Sequence, residues 1–95
     1  MHQNYPNPFN PTTEIKFGLP QPGEVTLSIF NIVGQKVRSL LNGPKTAGYH
    51  SVIWDGRNDF GNQVVSGVYV YRIRVLPNGA ENELIELAKK MTLVR

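Results

Sequence analysis

The chain has 95 residues, 40% of them apolar and 18% charged, so it fits one small globular domain and leaves no room for a second core. A formal charge of +3 is too weak and too scattered for a nucleic-acid module, which needs a dense basic patch with interleaved aromatics. With no cysteine there is neither a disulfide framework nor a thiolate metal site, and no apolar run reaches the roughly 18 residues of a membrane span.

Residues 1 to 20 lack the basic, apolar and small-residue sections of a signal peptide. Met1-His2 reads as an added start, and the whole of 1–95 as a single domain excised from a larger secreted protein. Asn4-Tyr5-Pro6-Asn7-Pro8-Phe9-Asn10-Pro11 carries a proline at every second or third position, which excludes helix and central strand. Its two large apolar groups, Tyr5 and Phe9, are expected to anchor the segment on the domain. Pro8 and Pro11 have PxxP spacing without a flanking basic residue, so they make a poor ligand for an aromatic groove.

Alternation then takes over. Ile15, Phe17 and Leu19 share one face of a strand, a Pro20-Gln21-Pro22-Gly23 turn follows, and Val25, Leu27 and Ile29 share a face of the next strand. Asn31 to Gln35 reads as a turn, Lys36 to Leu41 as a short strand, and Asn42 to Gly48 as loop. In Tyr49 to Trp54, the residues His50, Val52 and Trp54 fall on one side, and Trp54 is the candidate centre of the core. The loop Asp55 to Ser66 is dense in glycine and acid or amide side chains. Beyond it Tyr69, Tyr71, Ile73 and Val75 line one face, while Arg72 and Arg74 mark the opposite face as the wet one. Pro77-Asn78-Gly79 is a turn signal. Ala80 to Met91 is ambiguous: Leu84, Leu87, Ala88 and Met91 have helical spacing, whereas Ile85, Leu87, Met91 and Leu93 share a face if the segment is a strand. The hairpin signal before it favours the strand.

About seven short strands without a crossover helix predict an all-β, immunoglobulin-like antiparallel sandwich. Catalytic chemistry finds no foothold. Asp55, Arg57 and Asp59 have EF-hand spacing, but Arg57 sits at a ligand position, Phe60 replaces the required glycine and Ser66 the bidentate glutamate. Asp55 and Asp59 remain weak calcium candidates, and with Phe60 they support an alternative reading as a carbohydrate- or calcium-binding adhesion module. The more economical account is an Asx-type turn set, with the side chains bonding nearby amides. A glycosidase pair in one short loop lacks a cleft, and His2 and His50 lack companions at metal-ligand spacing. No enzyme and no cofactor are expected.

Four landmarks in order carry a resemblance: Asn4 to Thr13, Tyr49-His50-Ser51-Val52-Ile53-Trp54-Asp55-Gly56-Arg57, Ser66-Gly67-Val68-Tyr69-Val70-Tyr71-Arg72, and Lys89 to Arg95. Together they resemble the C-terminal sorting domain of the type IX (Por) secretion system. The chain is also similar to the immunoglobulin-like domain of the flagellar hook-capping protein, which shares the Trp-Asp-Gly and Gly-Val-Tyr landmarks. The sorting resemblance implies a non-catalytic signal that directs a parent protein to the outside or to the cell surface. It implies an outer-membrane translocon and a sorting peptidase as partners, with Lys89, Lys90, Met91, Val94 and Arg95 as the recognised end. The hook-capping resemblance implies a passive assembly domain instead. In both, Tyr5, Phe9, Trp54, Asp55, Gly56, Gly67 and Tyr69 serve as structural anchors. An exposed edge strand offers a route to a weak homodimer.

Overall fold

The computed structural model describes residues 12–78 and 84–94, all in strands, turns and loops. Six strands follow one another: β1 (Thr13–Leu19), β2 (Gly23–Asn31), β3 (Lys36–Lys45), β4 (Gly48–Trp54), β5 (Gly67–Pro77) and β6 (Ile85–Leu93). β1 and β4 form a two-stranded sheet, and the others form a four-stranded sheet in the order β3-β2-β5-β6. Every pairing is antiparallel. The expected immunoglobulin-like β-sandwich is therefore present, with six strands among the described residues where about seven were expected.

Alternation explains the core directly. Ile15, Leu19 and Trp54 come from the small sheet, and Val25, Leu27, Ile29, Tyr69, Ile73, Val75 and Leu93 come from the large one. On β5 and β6 the other parity is polar: Arg72 and Arg74 lie outside, where Glu86 stands 3.1 Å from Arg74 Nε and 3.7 Å from Arg72 Nε. Phe30 has the outward parity of β2 and stays half-buried because the Arg72 guanidinium lies 4.5 Å above its ring. His50 stacks on Phe17 at 5.4 Å and its Nε2 meets the Thr46 carbonyl at 2.8 Å, which makes it a strand residue rather than a ligand.

Three local expectations shift. β3 runs on to Lys45 through a segment that reads as loop. Pro44 is tolerated because β3 is the outermost strand, so the missing N–H needs no second neighbour. The segment with mixed helix and strand signals is a strand over Ile85–Leu93, paired with β5 from Val75↔Ile85 to Gly67↔Leu93. The open ladder of β5 outweighs helix propensity, since each backbone group of β6 gains a partner there. The register between β2 and β3 also slips twice, leaving Leu40 and Val37 as extra residues. The slips put Arg38 opposite Ile29, on the core-facing parity at the rim of the sandwich.

Gly23 has a packing reason for lacking a side chain: an added Cβ would come within 2.8 Å of the Leu76 carbonyl oxygen on β5. Trp54 is 0% exposed and is the largest fully buried side chain. Trp54→Ala should cost about 3–5 kcal/mol, and Val52→Ala, at a half-buried neighbour, clearly less. Urea unfolding of the two variants checks the order, and equal losses would remove Trp54 from the centre of the core.

Candidate functional site

The loop between β4 and β5 gathers the acids and amides that draw attention in the sequence, and its geometry is that of a brace. Trp54 Nε1 donates to the Arg57 carbonyl at 2.9 Å, and Arg38 Nη1 donates to the same carbonyl at 3.1 Å. Arg38 also donates to Asp55 Oδ1 at 3.1 Å and lies 3.8 Å from Asp59 Oδ1 through Nε. Each carboxylate takes a backbone partner as well, Asp55 from the Arg57 N–H at 3.1 Å and Asp59 from the Ser39 N–H at 3.0 Å. The Asn58 side-chain oxygen accepts from the Phe60 and Asn62 amides, both at 3.0 Å. These are the Asx turns expected of such a sequence.

Both calcium candidates thus face a guanidinium, and among the described residues no three His, Cys, Asp or Glu side chains converge. A cation brought to Asp55 and Asp59 would have to displace Arg38. Gly56 is buried with φ 75°, a left-handed conformation that a side-chain-bearing residue adopts only with strain. The far end of the loop is tied by Tyr69, whose hydroxyl donates to the Val65 carbonyl at 2.6 Å, four residues upstream, in the manner of the tyrosine corner of immunoglobulin-like sandwiches. The Tyr69 ring meets Trp54 edge-on at 5.3 Å.

The braced loop shares one end of the sandwich with the β2–β3 turn, since Asn31 pairs with Tyr69 and the Asp59 N–H donates to the Val37 carbonyl at 3.0 Å. The C-terminal end of β6 arrives at the same place, because Leu93 pairs with Gly67. Five apolar side chains project from this end: Phe60 is 89% exposed, Ile32 78%, Val65 77%, Val33 74% and Val94 71%. Of these, sequence reasoning singled out Phe60 and Val94. The available signal for the rest was Ile32-Val33, two β-branched residues inside a turn where polar residues are the rule.

The sequence-expected recognition residues do not act as a group. Lys89 and Lys90 point to opposite faces of β6, Met91 packs against the core, Val94 joins the apolar end, and Arg95 lies outside the described residues. Of the anchors, Trp54, Gly56 and Tyr69 are buried and Asp55 and Gly67 hold the loop ends, while Tyr5 and Phe9 lie outside the described residues.

Fold and braced loop together define an immunoglobulin-like domain. More narrowly, residues 3–78 match the FlgD Ig-like domain, and the chain belongs to that family. Among solved structures it is similar to FlgD from P. aeruginosa, at 25% identity and TM-score 0.63, covering 86% of this chain and 57% of that one. It is also similar in fold to FlgD from Xanthomonas campestris, whose structure bears on the hook capping essential for flagellar assembly, at 21% identity and TM-score 0.64, covering 88% and 55%. The chain therefore spans a little over half the length of those proteins. No curated protein matches it.

These findings overturn the type IX sorting reading. The Por-secretion keywords and the role of the C-terminal end as a sorting signal fall with it. So do the outer-membrane translocon and sorting peptidase as partners, and the placement as a secreted or cell-surface protein. The two resemblances rested on the same Trp-Asp-Gly and Gly-Val-Tyr landmarks. Those landmarks shape the sandwich, so they could not separate the two families.

Tyr69→Phe should destabilise the domain by about 1 kcal/mol through loss of one hydrogen bond. Arg38→Met should act mainly on the loop, with faster amide exchange at Arg57 and Asp59. Exchange at those amides that matches the unaltered protein would remove Arg38 as the brace.

Proposed function

We propose that the chain is a non-catalytic assembly domain of the flagellar hook-capping type. Its work is to hold an apolar contact surface in a fixed shape against neighbouring protein subunits. Support comes from membership of the FlgD Ig-like family and from one observation above all: Ile32, Val33, Phe60, Val65 and Val94 stand exposed together on an end stiffened by Arg38, Trp54 and Tyr69. Exposed apolar groups clustered on a rigid element are the usual mark of a protein contact, since their burial supplies most of the association energy.

The hook cap of the similar protein from Xanthomonas campestris supplies the kind of assembly in which such a surface would be used. Partners on this reading are other subunits of the hook, met through apolar contact rather than through a charged signal. Phe60→Ser combined with Val33→Ser should leave the melting temperature of the domain within a few degrees, because both side chains are already in water. In the full-length parent protein the same pair should strongly reduce hook assembly, counted by electron microscopy of cells. Hooks of normal number and length would overturn the proposal.

A further inference from the structure

The two sheets are unequal, and the mismatch leaves one long side of the sandwich open. β1 pairs with β4 alone, so its other backbone edge has no partner strand among the described residues. Beneath that edge the core-facing side of β6 is poorly covered: Ile85 is 51% and Leu87 47% exposed, against 3% for Leu93 farther along the same face. A groove of about 180 Å³ runs there, bounded by Phe17 and Leu19 of β1, Ile73 and Val75 of β5, and Ile85 and Leu87 of β6.

We propose that residues 4–9 of this chain form a seventh strand, antiparallel to β1, that closes this groove. The segment is tethered where it is needed, because it leads through Asn10-Pro11-Thr12 directly into β1. Asn-Pro favours turn initiation, which allows the chain to double back along the open edge. Six extended residues reach about 20 Å, close to the length of β1.

The proline spacing adds an independent argument. Pro6 and Pro8 are two residues apart, so in an extended strand their ring nitrogens point to the same side. With that side turned to solvent, neither lost donor faces β1, and a proline-bearing outer edge also resists addition of a further strand. The same parity directs the backbone groups of Tyr5, Asn7 and Phe9 toward β1. Placing these odd-numbered residues opposite odd-numbered ones of β1, whose Ile15, Phe17 and Leu19 face inward, turns Tyr5 and Phe9 over the uncovered Ile85 and Leu87. A proline-rich start that no central strand could use becomes a one-sided edge strand.

Because the protein has no cysteine of its own, engineered disulfides report the pairing cleanly. Lys16→Cys combined with Pro6→Cys or with Pro8→Cys places two outward side chains on neighbouring strands, and one of these pairs should oxidise within a monomer. Lys16→Cys with Asn7→Cys, of opposite parity, should oxidise poorly. Separately, Asn7→Pro removes an inward N–H and should lower the melting temperature of the full chain by about 5 °C or more. Tyr5→Ala with Phe9→Ala should raise binding of a hydrophobic dye. Disulfides forming only between chains would assign the groove to a second copy and overturn the proposal. An unchanged melting temperature for Asn7→Pro would overturn it equally, whether or not the cysteine variants fold.

Discussion

Everything at the functional end of this domain depends on how Trp54 ends β4. Its ring is wholly buried between the two sheets and its Nε1 reaches the Arg57 carbonyl, so one side chain both fills the core and fixes the first turn of the loop that leaves it. Tyr69 repeats the device where the loop returns, with its ring against Trp54 and its hydroxyl on the Val65 carbonyl. A loop tied to the core at both ends loses little further freedom on meeting a partner, which lowers the entropic cost of association. Arg38 completes the arrangement by neutralising two carboxylates and sharing the Arg57 carbonyl. The acids that suggest chemistry in the sequence are therefore consumed in holding shape.

The second constraint is the inequality of the sheets. Four strands present more apolar surface than two can cover, and the deficit falls on β6, the strand farthest from β2 in the large sheet. Residues 3–78 carry the family match, so β6 lies beyond the matched range although it completes the pairing of β5. Half-exposed Ile85 and Leu87 follow from that geometry rather than from a change of pattern in the sequence. An uncovered edge of this kind invites strand addition unless the chain itself protects it.

The move from a secretion signal to a hook-capping relative shows what the shared landmarks encode. Trp-Asp-Gly gives a buried ring, a carboxylate that bonds the Arg57 amide and a glycine at positive φ; Gly-Val-Tyr starts β5 and supplies the tyrosine that ties the loop. These are requirements of a sandwich with a long loop at one end, and they recur wherever that architecture does. Fold was legible from them, and function was not. The basic end that attracted the sorting interpretation is divided by the strand period, with Lys89 and Lys90 on opposite faces and Met91 drawn toward the core.

Sequence alone determined the class and most of the core. Period-two alternation named Ile15, Leu19, Val25, Leu27, Ile29, Tyr69, Ile73 and Val75 as inward, and Arg72 with Arg74 fixed the wet face, because a strand can bury only one parity when the other carries charge. Tertiary structure decided what alternation cannot carry. Two slips in register turned Arg38 toward the loop, an edge position let β3 pass through Pro44, and the open ladder of β5 drew Ile85–Leu93 out of a helical pattern. The gathering of Ile32, Val33, Phe60, Val65 and Val94 at one end belongs to this second group. They come from three separate parts of the chain, and only the antiparallel pairing of β2, β5 and β6 brings those parts to the same place.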